Sequence, residues 1–188
     1  MQNVLSYKII RSDRKTVALQ IKNGNITVRA PYLMKDTDIR NFVYKNKNWI
    51  DKHLKLDEER KKKLNNIKPL TMDDIRCLAD KAVEVIPERV KYYAPKVGVD
   101  YGNITIRNQK TRWGSCSSKG NLNFNCLLML TPLEVIDSVV VHELCHRKEM
   151  NHSKRFYDEV LRVYPEYRKW DKWLKDNGGL IMDRMINE

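Results

Sequence analysis

Four residues have the types and spacing to carry out metal-assisted hydrolysis: His142, Glu143, His146 and His152. On a helix, positions i and i+4 lie on one face, one turn apart, so His142 and His146 can present two imidazoles to one ion. Glu143 lies about 100° around the axis from His142, where its carboxylate can reach water at the ion without ligating it. That is the mechanical content of an HExxH motif: two metal ligands and a general base. A catalytic zinc site takes a third protein ligand and leaves one position to water. His152 can supply that ligand, because Asn151 continues a helix poorly and Ser153 is a good N-cap, so the chain can turn between Met150 and Ser153. The remaining histidine, His53, stands alone on the charged side of an earlier helix and has no such reading.

Other groups near the motif offer weaker chemistry. Cys145 could ligate a soft metal, but a free cysteine more often packs as a small apolar residue. Glu149 and Asp158 are candidate acidic fourth ligands. Upstream, Arg112-Trp113-Gly114 is a candidate substrate-binding block. A strand beside the motif helix can hold an extended peptide by strand addition, Gly114 would let a backbone approach closely, and Arg112 could hold a carboxylate or phosphate. The alternative is that Trp113 is core and Gly114 a bulge.

The elements that must position these groups follow from periodicity and capping. Tyr7–Ile10, Thr16–Ile21 and Ile26–Ala30 alternate as strands, with Asn23-Gly24 as a hairpin turn, giving a small antiparallel N-terminal sheet. A helix is expected from about Asp36 to Leu56, followed by a charged junction over Asp57–Lys68. Thr71 starts another helix, in which Pro87 predicts a kink or break. Strand alternation returns over Asn103–Arg107 and Asn121–Asn125. Thr131-Pro132-Leu133-Glu134 reads as a capping box opening the motif helix, which is expected to run to about Glu149. Two short helices should close the chain, with Gly178-Gly179 stopping the second. The fold class is therefore α+β, with an N-terminal β-hairpin and helix region over residues 1–68 and a hydrolase core over 69–188.

Bulk composition bounds the partners. The chain has 188 residues, 41% of them hydrophobic, which is enough for a packed core. It carries 36 Lys and Arg against 24 Asp and Glu, a net charge of +12 that attracts polyanions, so nucleic acid is a candidate partner of the basic surface. Part of the excess is the run Arg60–Lys63, which reads as a solvated helix face. Cys77, Cys116, Cys126 and Cys145 form no CxxC pair, and the N-terminus lacks a secretory apolar stretch, so reduced thiols in a cytoplasmic protein are expected. No apolar run approaches the ~20 residues that span a bilayer.

Several stretches together resemble the YgjP-like metallopeptidase family: Thr111–Ser117, Asn121–Asn125 with Leu127-Leu128, Val141–His146, and Asn151–Ser153 with Phe156. Arg11–Leu19 is similar to that family's opening hairpin, and the likeness to SprT-like proteases is more distant. The resemblance implies a zincin-like core in which a small sheet lies above the active-site helix. It implies zinc ligands at His142, His146 and His152 and a catalytic Glu143. Peptide hydrolysis is the activity it implies first. A UTP-type nucleotide pyrophosphohydrolase at the same site and a DNA-associated SprT-like protease are the alternatives. The His146–His152 spacing also equals that of metzincins, but those place Gly where this chain has Glu149.

Overall fold

The structure, a computed structural model, describes residues 6–65 and 67–185. The fold is α+β, and the chain divides into two compact units, one ending at Ile67 and one beginning at Lys68. No helix among the described residues is long and apolar enough to cross a membrane.

In the first unit, β1 (Lys8–Ser12), β2 (Ala18–Lys22) and β3 (Asn25–Pro31) form a sheet in the order β1-β3-β2. The β2–β3 hairpin is antiparallel, and its turn residues Asn23 and Gly24 take the positive φ values, 54° and 77°, that such tight turns require. The expectation of a wholly antiparallel sheet does not hold, because β1 pairs parallel to β3. β3 thereby becomes the central strand, and Ile26, Val28 and Ala30 on its inner face are buried. They pack on Ile39 and Val43 of α1 (Asp36–Lys45) and on Ile50 of α2 (Lys47–Asn65).

The single first helix of the sequence reading is two helices. They part at Asn46, whose side-chain amide donates to the Phe42 carbonyl at 2.8 Å. The charged junction after Leu56 is helical, the continuation of α2 to Asn65, as the reading of Arg60–Lys63 as a helix face expects. Spacing explains this, since Lys61–Asp57 and Lys62–Glu58 pair at i,i+4 along the exposed helix.

The second unit opens with α3 (Met72–Val97), capped by a reciprocal Thr71–Asp74 box and closed by Gly98 in the left-handed region. Of the kink or break expected at Pro87, the break is absent, and α3 runs on as one element. Ala82, Ile86 and Val90, on both sides of the proline, are fully buried. Their burial outweighs the roughly 3 kcal/mol that an interior proline costs. A second sheet of β4 (Ile104–Arg107), β5 (Gly114–Cys116) and β6 (Leu122–Asn125) has the order β4-β6-β5. A 3-10 turn, Cys126–Leu130, leads to α4 (Leu133–Cys145), and α5 (Lys154–Val163) and α6 (Tyr167–Asp183) follow.

α4 is the central helix, with ten of its residues buried. Its expected capping box does not form: the Thr131 hydroxyl donates back to the Leu128 carbonyl at 2.7 Å, closing the 3-10 turn instead. Asp137 ties α4 to α3, accepting from Arg89 Nε and Nη2 at 2.6 and 2.7 Å and from the Tyr93 hydroxyl at 3.0 Å. Gly178-Gly179 does not stop α6, which continues to Asp183. Gly178 is needed there for closeness, because a Cβ on it would lie 2.9 Å from the Trp113 ring.

Candidate metal centre

α4 presents His142 and Glu143 and ends at Cys145, four residues short of the expected end. The helical geometry still reaches His146, whose N–H bonds to the His142 carbonyl at 3.3 Å. The chain then tightens through Arg147 and Lys148, and the Glu149 carbonyl accepts a hydrogen bond from His146 Nδ1 at 3.0 Å. Asn151 Oδ1 accepts from the Ser153 N–H, and Ser153 Oγ caps α5 by accepting from the Phe156 N–H at 3.3 Å. This turn carries His152 back over the end of α4.

The three imidazoles converge. His142 Nε2 is 3.2 Å from His146 Nε2 and 3.0 Å from His152 Nε2, and the ligand atoms of the group all lie within 4.8 Å of one another. Phe156, fully buried, floors the cluster with its ring centroid 4.9, 4.6 and 4.9 Å from those of His142, His146 and His152. The second nitrogens of two rings are held from behind. The Glu149 carbonyl can only accept, so His146 carries its proton on Nδ1 and presents a bare lone pair at Nε2. His142 Nδ1 is hydrogen-bonded to the hydroxyl of Tyr167, the first residue of α6, at 2.8 Å.

Electrostatics favour the uncharged forms of His142 and His146. Burial, followed by the charges of His146 and His152, pushes His142 down to about 3, and burial likewise lowers His146. Convergent, and backed by hydrogen bonds at His142 and His146, this donor set fits a divalent ion. Neither Cys145, Glu149 nor Asp158 joins the group. Cys145 is buried core, its thiol pushed up to about 12 by burial.

Glu143 is buried beside the cluster, and burial pushes its carboxyl up to about 8 while the Arg112 charge pulls it down. It lies on the floor of a cavity of about 220 Å³ together with Val139 and His142. Arg112, Trp113 and Gly114 form one wall, so the structure brings the whole candidate substrate-binding block to this cavity. Tyr167, Asp171 and Leu174 of α6 also line it. Gly114 is not a bulge: it stands in β5 opposite Phe124. Its missing side chain leaves room for Glu143, since a Cβ there would lie 2.6 Å from Glu143 Oε1.

Sequence reasoning missed Tyr167 and the Glu149 carbonyl. A backbone acceptor has no residue signature. Tyr167 lies 25 positions from His142, with only its aromatic type as a signal.

Residues 15–76 and 74–177 match the family described as YgjP-like, metallopeptidase domain. No curated protein matches the chain. Among solved structures it is similar to the metallopeptidase zymogen abylysin of Pyrococcus abyssi, with 22% identity over 49% of this chain and 94% of that chain and a TM-score of 0.45. The zymogen jannalysin of Methanocaldococcus jannaschii is similar at 24% identity, over 49% of this chain and 95% of that chain, with a TM-score of 0.43. The family match spans most of the sequence, both arms of the HExxH motif and His152 included, and the chain belongs to the YgjP-like metallopeptidase-domain family.

Proposed function

We propose that the protein is a zinc-dependent metallopeptidase in which His142, His146 and His152 hold the ion and Glu143 is the general base. The observation that carries this reading is the convergence of three imidazole nitrogens within 4.8 Å, next to a buried carboxylate on the same helix. Zinc, when bound, supplies Lewis acidity: it acidifies water and polarises a carbonyl.

The chain's own residues supply the rest. Tyr167 and the Glu149 carbonyl orient His142 and His146 so that their Nε2 atoms converge, where they would hold the ion. Glu143 accepts a proton from the attacking water and returns it to the leaving amine nitrogen. Its carboxyl suits both transfers, because burial brings its proton affinity close to neutrality and the Arg112 charge opposes that rise. The cavity between the Arg112–Gly114 wall and α6 receives the substrate beside this carboxylate.

Charge distribution favours a peptide over a phosphoanhydride. The unit holding the site, residues 68–188, carries 20 Lys and Arg against 17 Asp and Glu, so it is nearly balanced. Zinc-loaded protein assayed against a peptide library and a panel of nucleoside triphosphates tests the reading. Cleavage of peptides is expected; turnover of UTP with no peptide cleaved contradicts it.

A further inference from the structure

The net charge of the chain is concentrated outside the metal-centre unit. Residues 1–67 carry 16 Lys and Arg against 7 Asp and Glu. Within this unit the sheet has two unlike faces. Ile26, Val28 and Ala30 point inward onto α1 and α2. On the other face, strand register sets Lys8 and Gln20 beside Thr27, Ile10 and Ala18 beside Arg29, and Lys22 beside Asn25. Lys8, Gln20, Lys22, Asn25 and Arg29 are exposed, and no Asp or Glu occurs in β1, β2 or β3. Arg29 Nε donates to Gln20 Oε1 at 3.3 Å, which anchors the guanidinium without neutralising it. Three cations thus share a sheet face about 10 Å wide, two strand spacings, with no carboxylate on its strands.

We infer that this open sheet face binds the sugar–phosphate backbone of nucleic acid without reading its sequence. Like charges on one face repel, and a polyanion relieves that repulsion while releasing its own counterions. The amides of Gln20 and Asn25 and the hydroxyl of Thr27 add the hydrogen-bonding groups that phosphate and sugar oxygens accept from and donate to. A membrane-binding face would instead carry large exposed apolar side chains to seat among the lipids, and the outward positions on these strands hold none that is exposed. The face uses none of the metal-centre residues, so binding is independent of the catalytic reading.

The test is fluorescence anisotropy of the full-length protein with a labelled single-stranded oligonucleotide of mixed sequence, across a salt series. Wild type binds, and its log affinity falls linearly with log salt. The variant Lys8→Gln/Lys22→Gln/Arg29→Gln binds at least about tenfold more weakly, with a salt slope shallower by about two, as expected for three lost phosphate contacts on a single strand. A control, Lys81→Gln/Lys91→Gln/Lys119→Gln, makes the same change of net charge on exposed lysines of the second unit and stays within about threefold of wild type. Removal of zinc leaves binding unchanged. Single Lys8→Gln and Lys22→Gln variants, each weakening binding about two- to threefold, answer the question if the triple variant loses its fold. Equal losses in the two triple variants, no salt-dependent binding by wild type, or tighter binding to phosphatidylserine vesicles than to the oligonucleotide at matched salt would overturn the inference.

Discussion

Gly114 and Glu143 occupy each other's space: a Cβ added to Gly114 would lie 2.6 Å from Glu143 Oε1, 2.8 Å from its Cγ and 2.9 Å from its Cδ. The strand wall of the cavity and the carboxylate are therefore fitted to one another. Gly114→Ala must move the Glu143 side chain or the strand. The expected result is a drop in kcat/KM of about 10²-fold, the scale of an ångström-sized misplacement, with zinc still bound. Overpacking should cost about 1–3 kcal/mol of stability. Peptide hydrolysis measured beside metal content and a urea melt separates the two effects.

Tyr167 holds His142 from behind, its hydroxyl 2.8 Å from Nδ1. Tyr167→Phe keeps the ring in its buried place and deletes only that hydrogen bond. Zinc affinity should fall about 10–100-fold. Competition with a chromophoric chelator reads the change directly, and a thermal melt of the metal-free protein should shift little.

Asp137 is buried on α4 and accepts from both Arg89 and Tyr93 on α3. Asp137→Ala strands a largely buried guanidinium and a buried phenol. Removing one partner of such a pair costs about 3–5 kcal/mol when the other stays fully buried. Arg89 retains 26% exposure, so about 2–3 kcal/mol is expected here, measured as a shift in the urea midpoint at unchanged slope.

Glu159 gives a defined acid sensitivity. Hydrogen bonding to Arg162, and then to Lys148, holds its carboxyl down to about 2. The folded value lies below the unfolded one, so the stabilisation is present above about pH 4.5 and is lost as pH falls toward 2. Both cationic partners are substantially exposed, which limits the contribution to about 1 kcal/mol. Glu159→Gln should lower stability by that amount at pH 7 and flatten this part of the pH–stability curve, followed by denaturant melts between pH 7 and pH 2.5.

What could be read in the sequence was local, and what could not was decided by distant packing. His142, Glu143 and His146 share a helix, and the turn to His152 depends on Asn151 and Ser153 next door, so spacing alone anticipated the cluster. Gly178 misled because local propensity is weaker than burial: α6 passes through the glycine against Trp113, and α3 is likewise unbroken at Pro87, between the buried Ile86 and Val90. The parallel pairing of β1 depends on β3 entering between β1 and β2, which no property of the three strands taken singly encodes. Tyr167 reaches His142 from another helix, a long-range contact without a spacing rule.

In the proposed mechanism three histidines hold the ion and Glu143 moves the proton. Glu143→Gln tests it most directly, because the amide keeps the shape of the side chain and cannot accept the proton. Zinc stoichiometry and peptide hydrolysis should be measured on the same preparation. One zinc per chain is expected, as in wild type, with hydrolysis reduced by at least about 10²-fold. A variant that binds zinc and cleaves peptides at the wild-type rate would contradict it.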